Sequence, residues 1–104
     1  MSDDKGCRFD IPLGVPGDAA CLIGHFPGRP IVPGAVLLGY AARHIETEGF
    51  RIENIKRIKF FRPLLPDQPF TIETTPLNDR TTVTWSTGDT ILARATVKLQ
   101  SDGR

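Results

Sequence analysis

The sequence lacks the features that mark secreted, membrane and nucleic-acid-binding proteins. It has only two cysteines, Cys7 and Cys21, and their spacing fits neither a disulfide scaffold nor a zinc site. Its 13 basic and 12 acidic residues nearly cancel, so no overall field favours nucleic acid or a membrane surface. No apolar run approaches the roughly 18 residues of a membrane helix, and no charged leader precedes an apolar segment. We therefore expect a soluble, cytoplasmic protein with free thiols that needs no metal or other cofactor.

The chain has 104 residues, which is enough for one small domain spanning residues 1–104. Residues 1–6 are polar and are expected to be frayed. A domain of this size buries a modest share of its surface, so a second chain that covers part of it would add stability. The sequence therefore favours a single domain that works as an oligomer, in which the edges of two small sheets meet.

Apolar and polar residues alternate over most of the chain, which is the period of β-strands. Serial strands with short connections favour an antiparallel sheet. The segment Phe50–Phe61 has an irregular apolar spacing that indicates a β-bulge. In the segment Ile91–Leu99, the odd-numbered residues should share a face. The expected strands are Arg8–Leu13, Ala19–Ile23, Phe50–Phe61, Phe70–Thr74, Thr81–Ser86 and Ile91–Leu99, with a turn at Pro76–Arg80.

One helix is expected between the second and third of these strands. Pro33 suits its first turn because proline has no N–H to leave unpaired. From Ala35 to Ala42 the helix carries no charged residue, so it is apolar on all sides and should be covered by other structure. Its polar tail ends at Gly49, a residue type that commonly closes helices.

The segment before the helix has the most specific pattern in the chain. It reads Gly24-His25-Phe26-Pro27-Gly28-Arg29-Pro30-Ile31-Val32-Pro33-Gly34. The positions His-Phe-Pro-Gly-x-Pro-x-x-Pro-Gly resemble the signature of β-hydroxyacyl-acyl carrier protein dehydratases. The stretch from Lys59 to Pro66 resembles a strand and loop of the same family, although the family's Pro-Gly-Asp turn reads Pro66-Asp67-Gln68 here. Short relatives from aryl-polyene and xanthomonadin-type pigment pathways are similar too.

The resemblance implies an α+β hot-dog fold, in which an antiparallel sheet of about five to six strands wraps one central apolar helix. It also implies the reaction: water is eliminated from a 3-hydroxyacyl thioester to give the trans-2-enoyl thioester. The substrate would be carried on the phosphopantetheine arm of an acyl carrier protein. The protein would be a homodimer, or a higher oligomer of dimers, with its sites where two subunits meet.

The resemblance assigns roles to individual residues. His25 occupies the catalytic histidine position and would act on the C2 proton, which suits an imidazole that titrates near pH ~6.5. The backbone N–H of Gly34, at the helix N-terminus, would polarise the thioester carbonyl. The expected substrate-binding residues are Phe26, Pro33, Val36, Leu37, Gly39 and Tyr40. The expected carrier-protein docking residues are Arg29, Arg57, Lys59 and Arg62.

One position departs from the family pattern, because Gly39 stands where the family has an acid on the helix. General acid help is worth about 10²–10⁴-fold in rate. Another group could supply the proton: Tyr40, His44, Glu46 or a carboxylate of a second subunit. Alternatively, His25 performs both proton transfers, or the chain binds acyl thioesters without dehydrating them. Gly39 could also serve a close approach of the helix to another segment.

The sequence therefore leaves three functions open. The first is a dehydratase, and the second is a non-catalytic subunit that binds acyl thioesters. The third is a thioesterase, although this chain has no carboxylate early in the helix that could activate water. His44 is interpreted as a solvated surface residue, and Phe60, Phe61 and Trp85 as packing residues. The basic residues between Arg51 and Arg62 are either a solvated strand face or a docking site for an acidic carrier protein.

Overall fold

The computed structural model describes residues 6–17 and 31–101. These residues form one helix and five strands: β1 (Cys7–Ile11), α1 (Gly34–Thr47), β2 (Phe50–Phe60), β3 (Phe70–Leu77), β4 (Arg80–Thr87) and β5 (Thr90–Ser101). The expected strand at Ala19–Ile23 lies outside the described residues. So do Cys21 and, apart from Gly6, the segment that was expected to be frayed.

The strands form one antiparallel sheet in the order β1-β3-β4-β5-β2. Short connections join β3, β4 and β5 in sequence, as the turn residues between the apolar segments predict. β2, which follows the helix, pairs with the last strand and forms one edge of the sheet. We call the face that carries α1 the inner face and the opposite one the outer face.

The hydrophobic core lies between α1 and the inner face. Its largest fully buried side chain is Trp85 of β4, and the same core cluster includes Ile72 of β3, Val83 of β4 and Val97 of β5. The Trp85 indole N–H donates to the backbone carbonyl of Leu37 at 2.9 Å. A buried indole needs such a partner, because an unpaired donor in the core is costly. This bond fixes the helix on the middle of the sheet, and the interpretation of Trp85 as a packing residue is confirmed.

Two bulges explain the irregular apolar spacing of β2. The register shifts between Ile52 and Asn54 and again between Ile55 and Arg57, so β2 twice has one residue more than β5. Ile52, Ile55 and the corresponding Ile58 each lie opposite an inner-face residue of β5. A spacing of three residues, which no regular strand accepts, therefore keeps all three side chains on the inner face. The expected bulge is confirmed, and there are two.

The sheet covers α1 from one side. Its buried residues, Leu37, Ala41 and Ile45, follow one another at intervals of four and form a single stripe. Ala35 and Gly39 are exposed on the opposite side. The helix ends where expected, with Gly49 at a positive φ of 89° just after the cap. Within residues 6–17 and 31–101, no segment covers the side of the helix that carries Ala35 and Gly39.

Two local expectations are wrong. The turn expected at Pro76–Arg80 is shorter, because β3 continues through Pro76. β1 pairs with β3 only as far as Thr74, so the missing N–H of Pro76 falls beyond the end of β1. The alternation expected in β5 fails at its start, where Ile91 is exposed and Leu92 is buried. A register shift opposite Trp85 inserts Leu92 as an extra residue.

We expect Trp85→Phe to lower the free energy of unfolding by about 1–3 kcal/mol, because it removes a buried hydrogen bond and leaves a small void. Urea denaturation followed by far-UV circular dichroism measures this. Leu77→Ala is the matched control, since Leu77 is 62% exposed at the end of β3 and should change stability by less than about 0.5 kcal/mol. Equal losses in the two variants would contradict a special role for the indole.

Candidate active site

The N-terminus of α1 offers free backbone donors. Pro33 is the N-cap, with φ −62° and ψ 147°, and no side chain caps the helix. The N–H groups of Val36 and Leu37 donate to the Pro33 carbonyl at 3.0 and 3.4 Å. Within the described residues the N–H groups of Gly34 and Ala35 have no acceptor. Free donors at the positive end of a helix suit an oxygen that gains negative charge.

Phe60, the last residue of β2, lies directly over Gly34. A Cβ placed on Gly34 would lie 2.5 Å from Cζ and 2.7 Å from Cε1 of the Phe60 ring. Since real Cβ atoms do not approach other atoms so closely, only glycine fits beneath this ring in its present position. The Phe60 side chain nevertheless remains 54% exposed. It therefore forms one wall of an open site over the helix N-terminus.

A cleft with a volume of about 510 Å³ opens at this point. Its lining consists of Ile31, Val32, Pro33, Gly34, Leu37, Phe60, Phe61, Arg62, Pro63 and Leu64. Two sets of backbone bonds hold its walls: Val32 N–H donates to the Leu64 carbonyl at 2.8 Å, and the Phe61 and Arg62 N–H groups donate to the Leu92 carbonyl at 2.8 and 3.2 Å. The inserted residue Leu92 thus anchors the end of β2. The result is an apolar cleft with free N–H donors at one end and one guanidinium on its rim.

The structure gathers some of the expected site residues and separates others. Pro33, Gly34 and Leu37 all line the cleft. Val36 and Tyr40 are half-buried against the core outside the lining of the cleft, and Tyr40 packs edge-on against Phe70 with ring centroids 5.7 Å apart. The expected residues His25, Phe26 and Arg29 lie outside the described part of the chain.

Gly39 faces open space. A Cβ placed on it would meet no atom of the described chain within 4 Å. Contacts within the described residues therefore give no reason for a glycine at this position, although glycine costs about 1 kcal/mol relative to alanine inside a helix. The two interpretations from the sequence, a close approach by another segment and the absence of the family's acid, both stay predictions.

The side chains considered as substitute acids lie away from the cleft. His44 is half-buried and stacks on Phe9, with ring centroids 5.0 Å apart, so it is not simply a solvated surface residue. It lies ten residues beyond Gly34, about 15 Å along the helix axis. Glu46 is exposed on the same helix face as Gly39 and about 10 Å farther along. Neither reaches the free N–H groups in the same protomer.

Three of the expected docking residues lie in the described part of the chain and are exposed, and the two on β2 lie on the outer face. Arg57 lies opposite Thr96 of β5 and Lys59 lies opposite Arg94. Arg62 follows β2 and reaches the rim of the cleft. These three cations therefore mark a path from the outer face to the cleft.

A second cavity of about 440 Å³ lies at the other end of α1 and holds Cys7 and Glu48. Burial, and next the negative charge of Glu48, raise the pKa of the Cys7 thiol above its ordinary value of 9.0. A thiol with a raised pKa remains protonated at neutral pH and is a poor nucleophile. Cys7 is therefore not an activated nucleophile, and the free N–H donors make the N-terminal end of α1 the stronger candidate for a reactive site.

Six cleft residues were not expected in the site from the sequence: Ile31, Val32, Phe60, Phe61, Pro63 and Leu64. Of these, Phe60 and Phe61 were interpreted as packing residues. Their side chains are 54% and 53% exposed. The signal that could have found them is their position at the end of the strand that resembles the dehydratase family. Periodicity alone could not have identified them, because it does not show where the strand extends beyond the helix that it packs against.

Comparisons with known proteins identify the fold. The chain superposes on the dehydratase heterocomplex ApeI:P from Xenorhabdus doucetiae with a TM-score of 0.75 and 18% identity, over 93% of this chain and 88% of that one. It also superposes on an uncharacterized protein from Erwinia carotovora subsp. atroseptica with a TM-score of 0.74 and 24% identity, over 97% and 89% of the two chains. The protein therefore has the α+β hot-dog fold, as the motif resemblance implied.

Sequence comparison identifies the family. The model of the ApeI-like family, described as ApeI dehydratase, matches residues 2–100, so the chain belongs to the ApeI-like dehydratase family. Among curated relatives, the 3-hydroxyacyl-[acyl-carrier-protein] dehydratase FabZ of Pasteurella multocida is 33% identical over 79 residues, covering 65% of this chain and 52% of the relative. The FabZ of Haemophilus influenzae (strain PittEE) is 32% identical over 79 residues, covering 65% and 53%. The chain spans about half the length of these curated relatives.

Residues 6–17 and 31–101 contain no group of three or more histidine, cysteine, aspartate or glutamate side chains that could hold a metal ion. The same residues contain no helix that is long and apolar enough to cross a membrane.

We expect Gly34→Ala to push the Phe60 ring aside and to destabilise the protein, whereas the same change in a Phe60→Ala background should be neutral or stabilising. Urea denaturation of the four proteins gives the coupling energy between the two positions, which should lie within about 0.5–3 kcal/mol for residues in contact. Gly49→Ala combined with Phe60→Ala is the control, since a Cβ placed on Gly49 would meet no atom within 4 Å. Additive effects at Gly34 and Phe60 would contradict the contact.

Proposed function

We propose that the protein is a 3-hydroxyacyl-[acyl carrier protein] dehydratase that eliminates water from a 3-hydroxyacyl thioester to give the trans-2-enoyl thioester. The observation that carries the proposal is the free Gly34 N–H, which lies at an uncapped helix N-terminus and opens into an apolar cleft. Membership of the ApeI-like dehydratase family supports it, and so do the names of the FabZ relatives.

The proposed chemistry starts with proton abstraction from C2 of the substrate by the neutral imidazole of His25. Negative charge then develops on the thioester oxygen, and the N–H of Gly34 would stabilise it. The C3–O bond breaks, the hydroxyl leaves as water after protonation, and the double bond forms between C2 and C3. The cleft beside Leu37 and Phe60 would receive the acyl chain.

The exposure of Gly39 limits the possible sources of the proton for the leaving hydroxyl. No side chain of the described protomer lies within 4 Å of the position that a Gly39 Cβ would occupy. We propose that the imidazolium of His25 returns its proton to the hydroxyl, or that a second subunit supplies an acid at this open helix face. The same open face favours the second candidate function, an acyl-thioester-binding subunit that lacks catalysis.

We further propose that the protein is a homodimer in which two copies of β2 pair as antiparallel neighbours. The inner-face residues of β2 are symmetric about Ile55: Ile52 and Ile58 lie three positions away, and Phe50 and Phe60 lie five positions away. A two-fold axis at Ile55 would pair the apolar residues of one copy of β2 with those of the other.

The exposure and charge of β2 agree with this register. Phe50, Ile55 and Phe60 are 43%, 42% and 54% exposed in one protomer, although all three belong to the inner face. In the proposed register, Glu53 opposes Arg57 of the partner subunit, an attractive pair. Arg51 opposes Lys59 of the partner subunit, a repulsive pair of similar size, so the apolar pairs decide the association. The alternative to self-pairing is that a different chain binds the β2 edge. One of the solved structures that resemble this chain is named as a heterocomplex.

We expect the purified protein to convert a 3-hydroxyacyl thioester to the enoyl thioester, and His25→Ala to reduce the rate by at least about 10²-fold. Mass spectrometry of the acyl group measures the loss of water. His44→Ala is the matched control, because His44 lies far from the cleft and should retain activity. Gly39→Glu tests the missing acid: a large rate gain would show that proton supply limits the native protein.

Each alternative predicts a different result in the same assay. If the folded protein binds the thioester and forms no enoyl product with or without Glu at position 39, the dehydratase proposal fails and the binding role stands. Release of the free acid would identify a thioesterase. Equal losses in the two histidine variants would remove His25 from its proposed role.

We expect Ile55→Lys to convert the dimer to a monomer, because two cations would then meet at the proposed axis. Sedimentation velocity at several protein concentrations measures the association. Leu77→Lys adds the same charge at another exposed apolar position and should remain dimeric. A wild type that sediments as a monomer would contradict self-pairing of β2.

A further inference from the structure

We propose that the outer face of β2, β5 and β4 is the docking surface for an acidic carrier protein, with Arg94 and Lys98 of β5 at its centre. This inference rests on the proposed function, because it names the surface by which the substrate's carrier reaches the cleft. It adds residues of two further strands to the docking residues expected from the sequence. We call this region the cationic face.

The cationic face carries a large excess of positive charge. Its side chains occupy adjacent rows across three strands, and the residues that pair across these rows include no acidic residue. The two bulge residues of β2, Glu53 and Lys56, have no cross-strand partner in β5 and carry opposite charges. The rows contain the cations Arg51, Arg57, Lys59, Arg80, Arg94 and Lys98, and the neutral residues Asn54, Thr82, Thr84, Thr96 and Gln100. The whole chain has a net charge of only +1, so its charge is strongly segregated. A segregated cationic surface attracts an anionic partner.

Like charges are direct neighbours on this face. Lys59 and Arg94 are cross-strand partners of β2 and β5. Arg80 precedes Thr81, which pairs with Val97, so Arg80 lies beside Lys98. Like charges directly opposite each other in a sheet are destabilising. The fold therefore gains nothing from this arrangement, and an intermolecular role accounts for it.

The ion pairs of the described residues lie mostly elsewhere. Two of the three join Arg8 to Asp10 and to Glu73, near the opposite edge of the sheet. The third is a long contact of 3.9 Å between Arg80 and Asp79, both well exposed. In residues 6–17 and 31–101, the other cations of the face have no carboxylate within 4.0 Å. Four residues of the region, Lys56, Arg57, Arg80 and Thr96, line a shallow concavity of about 450 Å³.

The chemistry of the cationic face selects the class of partner. Its rows contain no aromatic side chain on which a nucleic acid base could stack and no apolar side chain that could enter a bilayer. Guanidinium and ammonium groups interleaved with threonine hydroxyls suit carboxylates on a protein surface. An acidic protein is therefore the occupant that these residues fit.

The position of the face agrees with delivery of a tethered substrate. Lys59 points to the outer face, and the next residue, Phe60, covers Gly34 on the inner face. Arg62 follows on the rim of the cleft. A carrier on the cationic face would thus sit at the strand end where the cleft opens, and its arm would pass around that end to reach the free N–H of Gly34.

The test compares two neutralised variants with the same net charge. Arg94→Gln/Lys98→Gln alters the centre of the cationic face, and Arg8→Gln/Arg43→Gln removes two exposed cations elsewhere. Fluorescence anisotropy with a purified bacterial holo-acyl carrier protein measures binding at several salt concentrations. We expect the first variant to bind about tenfold more weakly with a smaller salt dependence, and the control to bind like wild type.

Turnover separates this inference from the proposed function. The ratio of kcat/KM for the carrier-linked substrate to that for the N-acetylcysteamine thioester should fall about tenfold in the first variant alone. If no protein turns over either substrate, the proposed function fails, and the binding measurement still decides the docking surface. Equal binding by both variants overturns the inference. So does salt-dependent binding of duplex DNA or phosphatidylserine vesicles that matches or exceeds carrier binding and is lost in the same variant.

Discussion

The hydrogen bond from the Trp85 indole to the Leu37 carbonyl is the constraint on which the candidate site depends. It joins the middle strand of the sheet to the second turn of α1 at 2.9 Å, inside a core that excludes water. With the helix fixed there, its first turn lies under the end of β2, where the Phe60 ring packs on Gly34. The free N–H groups and the apolar wall of the cleft are thus positioned by one buried contact about one turn away.

Two glycines on the same helix have opposite physical causes. Gly34 is required by its surroundings, since a Cβ there would lie 2.5 Å from the Phe60 ring. Gly39 is required by nothing in the described protomer, since a Cβ there would meet no atom within 4 Å. The first glycine shapes a site that is already present in one chain. The second leaves an open helix face. The family's acid would project from this face, and a second chain could pack closely against it.

The sequence predicts the helix, the five strands of the described residues and the order of their connections, because alternation and turn residues are local signals. It also predicts that Pro33, Gly34 and Leu37 belong to one site. It fails where tertiary pairing overrides local pattern: Leu92 is inserted opposite Trp85, and Pro76 is tolerated because β1 ends at Thr74. The sequence also does not predict that Phe60 is exposed. The burial of an aromatic residue at a strand end depends on how far the strand extends past the helix, which is a tertiary property.

The edge strand β2 joins these features, because its two faces have different chemistry. Its inner face presents apolar side chains, with Ile55 at the centre of a symmetric arrangement, while its outer face presents Arg57 and Lys59. The two bulges keep the apolar residues inward despite their spacing of three. An edge strand with unpaired backbone groups invites association, and charged residues usually prevent it. Here the cations lie on the face away from the helix, so they leave apolar pairing at the edge possible. If two copies pair at Ile55, their outer faces join into one larger cationic surface, and each carrier protein would dock beside the cleft of its own subunit.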